Sequence, residues 1–300
     1  VRRLVGSEMC IRDSIKTIRY RRAQLKLLKV PELPEVETTK RGIEPHLVGK
    51  KFIGSTLRRL KLRIKFNKKE LEQIINKKIV SVTRRAKYIL INFSNNSTLL
   101  IHLGMTGTLR ISNSSKYLKH DHLIFHLVNK KSLIFNDARR FGLAQIILEG
   151  EKFKMLENNG PDPFELDKDW AYLYAKMSKS DASIKSILLN SKIVSGIGNI
   201  YACETLFESN ISPLRPGKKI TEEDAKNLLK NSKAILKKAI KAGGTTLKDY
   251  LSADARPGYF KIKLKVYDRE GQKCKKCSDS IMRIVQNNRS SFFCPSCQQS

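Results

Sequence analysis

The stretch Pro31-Glu32-Leu33-Pro34-Glu35-Val36-Glu37 marks the start of the first regular element of this chain. Pro34 suits the first turn of a helix, where its missing N–H is not needed. Glu35 suits the positive end of the helix dipole. We therefore predict a helix that begins here and runs to about Leu47.

The same stretch could hold a nucleophile and its proton donor. A proline nitrogen inside a chain is an amide, whereas an N-terminal proline is a secondary amine that can attack electrophilic carbon and form a Schiff base. Covalent amine catalysis of this kind is more often the work of a lysine. If Pro31 is the first residue, Glu32 is the neighbouring acid.

Residues 1–30 precede that proline and differ in composition from the rest of the chain. Residues 1–29 hold nine lysines and arginines against Glu8 and Asp13, with no apolar secretion segment. A GUG start codon would appear as Val30 if an upstream frame were translated through it, and removal of the initiator would expose Pro31. We expect residues 1–30 to be a non-native or cleaved leader. An organelle transit peptide and a real extension that blocks the amine are the alternatives.

The first half of the chain beyond this point carries a β pattern. Several short alternating or β-branched runs at this spacing, separated by polar turns, predict a sandwich or barrel. One short helix, at residues 68–76, interrupts them. The predicted strands cover residues 52–57, 79–82, 88–93, 99–103, 122–128, 133–135 and 143–148.

The pattern changes to helical periodicity after Gly160-Pro161-Asp162-Pro163, as in residues 184–189, 201–207 and 222–242. We place a domain boundary there. The predicted fold is an α+β multidomain chain with an N-terminal β-sandwich and flanking helices in residues 31–160. A helical domain follows in residues 161–260, and residues 261–300 form a separate C-terminal unit.

Four of the six cysteines define that last unit. Their spacing, Cys274-x2-Cys277-x16-Cys294-x2-Cys297, supplies two thiolate pairs and fits tetrahedral zinc. Four thiolates leave no open position, so we predict one structural Zn²⁺. A disulfide framework is the alternative, which a chain of this length without a secretory signal does not need.

Between the cysteine pairs the sequence predicts a β-hairpin. Residues 281–285 and Ser291-Phe292-Phe293 are the strands, and Asn287-Asn288-Arg289 is the turn. An arginine at the tip of a zinc-held hairpin could enter a DNA groove. A solvated turn arginine is the alternative.

The net charge points to a polyanionic partner. The chain carries +31, of which the leader supplies +7, so residues 31–300 keep +24. Neutralised phosphates release counterions, which favours binding. A ribosomal protein or a lysine-rich proteome would give the same excess. No apolar run of about 18 residues is present, so we expect no membrane span.

A helix, a glycine turn and a second helix are predicted around Asn190-Ser191-Lys192-Ile193-Val194-Ser195-Gly196-Ile197-Gly198-Asn199-Ile200-Tyr201. Glycines let a backbone approach a phosphate, whose charge the following helix start favours. Alone, this turn could merely cap a helix. With the Pro31 stretch and the cysteine spacing, it resembles the bacterial formamidopyrimidine-DNA glycosylases, which excise oxidised purines and cut the strand, over nearly all of residues 31–298.

The resemblance implies roles for two loops, His102-Leu103-Gly104-Met105-Thr106-Gly107 and Asp137-Ala138-Arg139-Arg140-Phe141-Gly142. Without it, Met105 and Phe141 would be assigned to a core. With it, Met105, Arg139 and Phe141 fill the gap that a flipped base leaves in the duplex. Ala138 departs from the family, in which proline is common at this position.

Further matches complete the expected site. The resemblance implies that the lysine of Arg84-Arg85-Ala86-Lys87-Tyr88 binds a phosphate beside the lesion and that residues 243–260 close over the flipped purine. His120 is expected to contact DNA, and His122 to pack. The predicted catalytic residues are Pro31, Glu32, Lys87 and Arg289, and the predicted DNA-binding residues are His120, Arg139, Lys192, Asn199, Met105 and Phe141.

The implied reaction is attack of Pro31 on C1′ with Glu32 as the acid, followed by β,δ-elimination. The implied partner is double-stranded DNA containing oxidised bases, bound by a monomer in the bacterial cytoplasm at the nucleoid.

Two alternatives remain. Endonuclease VIII-type enzymes prefer oxidised pyrimidines and usually have glycine at the position of Leu33. A non-enzymatic DNA-binding relative with a blocked Pro31 would have no need of Glu32.

Overall fold

The structure is a computed structural model that describes residues 31–114, 116–128, 130–244 and 264–299. The expected leader, and residues 245–260 of the expected purine loop, lie outside these ranges. The first helix, α1, spans Leu33–Leu47, as predicted. Its start is fixed by the Glu35 side chain, whose Oε2 accepts from the N–H of Glu32 at 2.9 Å.

Eight strands form the predicted β-sandwich. Two four-stranded antiparallel sheets have the orders β1-β6-β7-β5 and β2-β3-β4-β8. The helix predicted at residues 68–76 is shorter, because α2 spans only Lys68–Leu71. The strands are β1 Phe52–Leu57, β2 Ile79–Arg85, β3 Tyr88–Phe93, β4 Thr98–His102, β5 Thr108–Ser112, β6 Asp121–Leu127, β7 Ser132–Asn136 and β8 Leu143–Ile147.

The sandwich core lies between the two sheets. Phe52 of one sheet packs against Phe93 of the other, with ring centroids 5.8 Å apart, and against Phe125 at 5.1 Å. All three rings are fully buried. Each such ring contributes about 1.5–3 kcal/mol by burial. The core thus fixes the sheets, and the loops at their ends carry the predicted DNA-binding residues.

The second half is helical. The long helix α7 begins with a capping box, in which Thr221 and Asp224 exchange hydrogen bonds. Leu33 of α1 packs into the apolar core of these helices, so the Pro31 stretch lies against them. The helices are α3 Lys154–Glu157, α4 Trp170–Met177, α5 Ile184–Leu188, α6 Asn199–Glu208 and α7 Glu222–Lys241, with a 3₁₀ turn at Gly217–Lys219.

The C-terminal hairpin pairs β9, Met282–Gln286, with β10, Arg289–Phe293. Asn287 and Asn288 form a two-residue turn with φ of 48° and 60°, a conformation that asparagine tolerates. The turn is therefore one residue shorter than predicted, because Arg289 pairs with Gln286 as the first residue of β10. Across the described ranges, no helix has the length and apolarity needed to cross a membrane.

Candidate active site and DNA-binding surface

The carboxylate of Glu32 lies at the start of α6, where backbone N–H groups converge. Oε2 accepts from Gly198 at 2.9 Å and from Tyr201 at 3.3 Å, and Oε1 accepts from Ile200 at 2.9 Å. A Cβ at Gly198 would lie 2.2 Å from the Glu32 carboxyl carbon, so only glycine allows this approach. The predicted acid is thus held by the predicted glycine turn, more than 160 residues away in the chain.

Glu32 is poised to exchange a proton near neutral pH. Burial raises its pKa to about 7, although Lys87 and the backbone donors favour the charged form. Beside it, Glu35 Oε1 accepts from the Tyr201 hydroxyl at 2.8 Å. Pro31, itself buried, directly precedes Glu32. The structure therefore places an acid of matched pKa next to the predicted nucleophile.

Lys87 lies in the turn between β2 and β3, close enough to Glu32 for their charges to interact. Its Nζ donates to the carbonyl of Ile197 at 3.2 Å. Burial lowers its pKa, and the charge of Glu32 opposes that shift. Arg84 supports the turn, since its guanidinium donates to the carbonyl of Ala86 at 2.8 Å and pairs with Asp162. Lys87 is thus a cation brought to Glu32 from the sandwich.

Lys185, a lysine that the sequence did not single out, bonds the hairpin to α5. Lys185 is 1% exposed, and its Nζ donates to the Ser290 carbonyl at 2.9 Å and to Ser291 Oγ at 2.6 Å. Asn199 also donates to the Ser290 carbonyl, at 2.9 Å. Lys185 and Arg289 line a cavity of about 190 Å³. The only signal in the sequence was a lysine among apolar residues of α5.

Three of the predicted site residues lie on the helical half and its hairpin, namely Lys192, Asn199 and Arg289. Lys192 is exposed in the turn between α5 and α6. Asn199 is the first residue of α6. Arg289 is exposed at the start of β10. These positions are compatible with phosphate contacts, and their roles remain predictions.

A second basic surface lies on the sandwich. His120 lines a cavity of about 420 Å³ together with several basic side chains. His122 lines the same cavity but is largely buried, and its Nε2 lies 2.8 Å from the carbonyl oxygen of Asp137, which is compatible with the expected packing role. The basic residues of the cavity are Arg58, Arg59, Lys119 and Arg140.

The three predicted gap-filling residues lie in two loops at one end of the sandwich. Phe141 is 46% exposed, which is unusual for phenylalanine and excludes a core role. The guanidinium carbon of Arg139 lies 4.9 Å from the centre of its ring, a cation–π contact. Met105 is half-buried in the neighbouring loop. The loops therefore present apolar and planar groups toward solvent.

The four cysteines of the hairpin unit fit one zinc ion. The Sγ atoms of Cys274, Cys277, Cys294 and Cys297 all lie within 4.8 Å of one another. The pairs Cys277–Cys294 and Cys274–Cys297 are 3.4 and 3.9 Å apart. Zn–S bonds of about 2.3 Å in a tetrahedron place sulfurs at about these separations. The site is closed, so the metal is structural.

Three models of known domains match the chain in the order seen in the fold. The formamidopyrimidine-DNA glycosylase N-terminal domain matches residues 30–144. The formamidopyrimidine-DNA glycosylase H2TH domain matches residues 159–250. The zinc finger found in FPG and IleRS matches residues 271–299.

Whole-chain comparisons agree. Formamidopyrimidine-DNA glycosylase of Rickettsia bellii is 44% identical over 276 residues, which are 90% of this chain and all of that protein. The Legionella pneumophila protein of the same name is 47% identical over 273 residues, covering 90% of this chain and 98% of that one. The structure of MutM (Fpg) from Thermus thermophilus matches with a TM-score of 0.80 and 33% identity, covering 89% of this chain and 98% of that chain. The chain belongs to the formamidopyrimidine-DNA glycosylase family.

Proposed function

We propose that this protein removes oxidised purines, such as 8-oxoguanine and formamidopyrimidines, from duplex DNA and then cuts the strand at the abasic site. The observation that carries the proposal is the geometry around Glu32, an acid with a pKa of about 7 beside Pro31 and Lys87. General acid–base catalysis needs an acid of this pKa beside a candidate nucleophile and a cation, which is the set of groups found here. Solved structures of relatives include MutM with carbocyclic 8-oxo-G DNA and Lactococcus lactis Fpg with Fapy-dG DNA.

The chemistry requires that the active chain begin at Pro31. Its amine nitrogen bonds to C1′ of the damaged nucleotide while the glycosidic C1′–N bond breaks, and the departing base takes the proton that the amine nitrogen loses. Glu32 gives its proton to the sugar ring oxygen as the ring opens and an iminium forms. Loss of the proton at C2′ expels the 3′ phosphate, and a second elimination expels the 5′ phosphate. The amine of Pro31 and the carboxyl group of Glu32 are the groups that these steps use.

The ordinary pKa of an α-amino group is about 8, so a usable fraction of the Pro31 amine is neutral at physiological pH. A Glu32 pKa of about 7 leaves a usable fraction of the carboxyl protonated over the same range. Lys87 would bind the phosphate beside the lesion, and Arg289 would bind a phosphate from the hairpin. Both cations would hold C1′ near the nucleophile.

Extruding the base leaves a gap that costs a few kcal/mol of stacking. The exposed Phe141, the stacked Arg139 and Met105 are the groups that we assign to that gap. His120, Lys192 and Asn199 would hold the backbone on either side. Zinc held by the four cysteines keeps the hairpin that carries Arg289 folded.

We also propose the domain division at residues 31–160, 161–260 and 261–300, with residues 1–30 outside the active protein. The distinct sandwich and helical cores support the first boundary. The cluster around Cys274 and Cys294 also includes Cys203 and Phe207 of α6, so the last unit packs on the helical domain. The site of action would be the bacterial cytoplasm, on nucleoid DNA, and the protein would act as a monomer. The bacterial relatives and the DNA chemistry support that location.

The test compares two proteins, one that begins at Pro31 and one that keeps residues 1–30, each verified by N-terminal mass spectrometry. Each is incubated with an 8-oxoguanine duplex and borohydride, which reduces a Schiff base to a stable adduct. We expect base release, strand cleavage and a covalent adduct only with the protein that begins at Pro31.

A matched duplex with an oxidised pyrimidine tests the endonuclease VIII-type alternative, and we expect slower release from it. Pro31→Gly retains an N-terminal amine but loses the secondary amine and ring, so it serves as the chemical control. Absence of an adduct from protein beginning at Pro31 would contradict the enzymatic proposal. A faster reaction on the oxidised pyrimidine would contradict the substrate class.

A further inference from the structure

One buried carboxylate, Asp137, joins the two loops that carry the gap-filling residues. Asp137 is 0% exposed. Its Oδ1 accepts from the Thr106 hydroxyl at 2.5 Å and from the N–H of Arg139 at 3.2 Å. Its Oδ2 accepts from the N–H of Gly142 at 2.8 Å. The carboxylate therefore spans its own loop from end to end and reaches across to the other loop.

Thr106 completes the connection. Besides donating to Asp137, its hydroxyl oxygen accepts from the N–H of Arg139 at 3.1 Å. Thr106 directly follows Met105, and Arg139 lies two residues before Phe141, so this contact lies close to both loop tips. This one hydroxyl joins the Met105 loop to the Arg139 loop, as a donor to Asp137 and as an acceptor from Arg139.

The two loops also meet backbone to backbone. A Cβ at Gly104, whose φ is +65°, would lie 2.4 Å from the nitrogen of Gly142 and 2.4 Å from the carbonyl carbon of Phe141. This contact is possible only because Gly104 has no side chain. The loops are therefore one packed unit below their exposed tips.

The main chain of Asp137 extends the connection to the basic surface. Its N–H donates to the carbonyl of His120 at 3.0 Å. Its carbonyl oxygen lies 2.8 Å from Nε2 of the buried His122. Met105 and Phe141 are direct neighbours of Thr106 and Gly142, which both donate to the Asp137 carboxylate. The N–H of Arg139 donates to the same carboxylate, and the carbonyl of His120 accepts from the N–H of Asp137.

We propose that Asp137 is a positioning residue, acting with Thr106 to hold Met105, Arg139 and Phe141 as one preformed wedge for the gap left in the duplex. The inference deepens the proposed function and rests on it. Phe141 and Arg139 are exposed, so core packing does not fix their loop. Without the shared carboxylate, the two tips would have to be ordered when DNA binds, which costs affinity and rate.

The test uses Thr106→Val and Thr106→Ser as a matched pair. Valine has the shape of threonine without the hydroxyl, whereas serine keeps the hydroxyl and loses the methyl group. Asp137→Asn is the second variant, because an amide NH₂ cannot accept from the N–H groups that the carboxylate serves. The Thr106 pair remains informative if Asp137→Asn folds poorly, since Thr106 is only half-buried.

The readout is the fluorescence of 2-aminopurine next to an abasic-site analogue in a duplex, which reports unstacking by the inserted wedge. It is measured in the Pro31→Gly background, which can insert the loops but cannot form the proline Schiff base. This readout is therefore independent of catalysis. Lesion excision is measured in parallel with protein that carries Pro31.

We expect Thr106→Val to lower both the fluorescence change and single-turnover excision by about fivefold to tenfold. The bond to Asp137 is lost, whereas the N–H of Arg139 keeps the Asp137 oxygen as its acceptor. Thr106→Ser should stay within about twofold of the parent. Cleavage of an abasic site in single-stranded DNA, which has no gap to fill, should be unchanged by Thr106→Val and Thr106→Ser in protein that carries Pro31. In a Phe141→Ala background, Thr106→Val should cause little further loss.

Equal behaviour of Thr106→Val and the parent would overturn the proposal. So would an equal loss on duplex and single-stranded substrates, or an undiminished effect in the Phe141→Ala background, since both indicate a general structural role. Normal fluorescence with no excision by the Pro31 protein would instead overturn the proposed chemistry and leave the wedge assignment supported.

Discussion

Glu32 and Glu204 are two buried carboxylates that are bound in the same way but have different neighbours. Glu32 accepts from the backbone N–H groups of Gly198, Ile200 and Tyr201. Glu204 accepts from those of residues 265, 266 and 267, each at 2.9 Å. Burial raises the pKa of both. Three amide donors and burial therefore do not by themselves define a catalytic acid.

The neighbours make the difference. Glu32 adjoins Pro31 and Lys87, a candidate nucleophile and a cation. Glu204 instead fixes the segment that leads to the zinc hairpin, where the ring of Tyr267 packs 5.0 Å from that of Phe292. One carboxylate is thus placed for chemistry and the other for architecture.

The largest expected effect separates these two roles directly. Glu32→Gln should slow base release by about 10²–10⁴-fold, the range for loss of a general acid. Glu204→Gln should leave single-turnover base release within a few-fold but lower the free energy of unfolding by about 1–3 kcal/mol, because three N–H groups, one of them buried, lose part of their acceptor. Quenched-flow assays and urea unfolding measure the two quantities. Similar losses of base release in both variants would contradict the division.

Gly198→Ala tests whether the position of Glu32 matters as well as its identity. The added Cβ would lie 2.2 Å from the Glu32 carboxyl carbon, so the acid must shift. A displacement of about 1 Å can cost about 10²-fold in rate. Gly54→Ala is the matched control, since its Cβ would meet only a His126 ring carbon at 3.9 Å. Unchanged excision by Gly198→Ala would show that the observed approach is not required.

Removal of zinc tests the structural part of this comparison, the hairpin next to the segment that Glu204 holds. Chelation frees the hairpin that carries Arg289, and a lost phosphate contact of a charged group is worth about 1.5–3 kcal/mol. We expect about a tenfold or greater rise in the Kd for a lesion duplex, measured by fluorescence anisotropy, and recovery on addition of Zn²⁺. Full affinity after verified metal loss would argue against a structural role of the hairpin in binding.

The pH dependence of base release tests the chemical roles assigned to Pro31 and Glu32. The Pro31 amine must be neutral, so single-turnover base release should rise with pH up to about 8. Glu32 must be protonated, and its pKa of about 7 means that the protonated fraction falls about tenfold per pH unit well above that value. The product gives a broad maximum between about 7 and 8. In Glu32→Gln, the residual rate should lack the alkaline decline, and a decline that persists would assign it to another group.

Lys192→Ala should have the smallest effect, because this lysine lies at neither carboxylate. We expect a few-fold weaker binding of all duplexes and a salt slope smaller by about 1, as for loss of one phosphate contact. Binding measured between low and moderate salt tests this expectation. An effect confined to lesion-containing DNA would place Lys192 in lesion recognition instead.

The sequence predicted most of the sandwich, because alternation and turn residues are local signals. The predicted strands at residues 52–57 and 88–93 match β1 and β3, and the helix at residues 222–242 matches α7 within one residue. Strand β5 was missed, since only Leu109 of its five residues is buried and the apolar signal is weak. Helix α4 was also missed, lying just after the proline-rich boundary.

The candidate site was predictable only in part. The cysteine spacing predicted the zinc site, and the resemblance supplied the residues of the loops. The roles of Lys185, Glu204 and Asp137 could not be predicted, because each depends on partners brought together by the fold, such as the 105 residues between Lys185 and Ser290. The pKa of Glu32 likewise depends on burial against a helix from the other half of the chain.

The most direct test of the Pro31 chemistry is the location of the trapped sugar. Protein that begins at Pro31 is reduced with borohydride during reaction with an 8-oxoguanine duplex, digested, and analysed by tandem mass spectrometry. The account predicts a deoxyribose remnant on the nitrogen of Pro31, in the peptide that also contains Glu32. A remnant on Lys87, or on any other lysine, would contradict it.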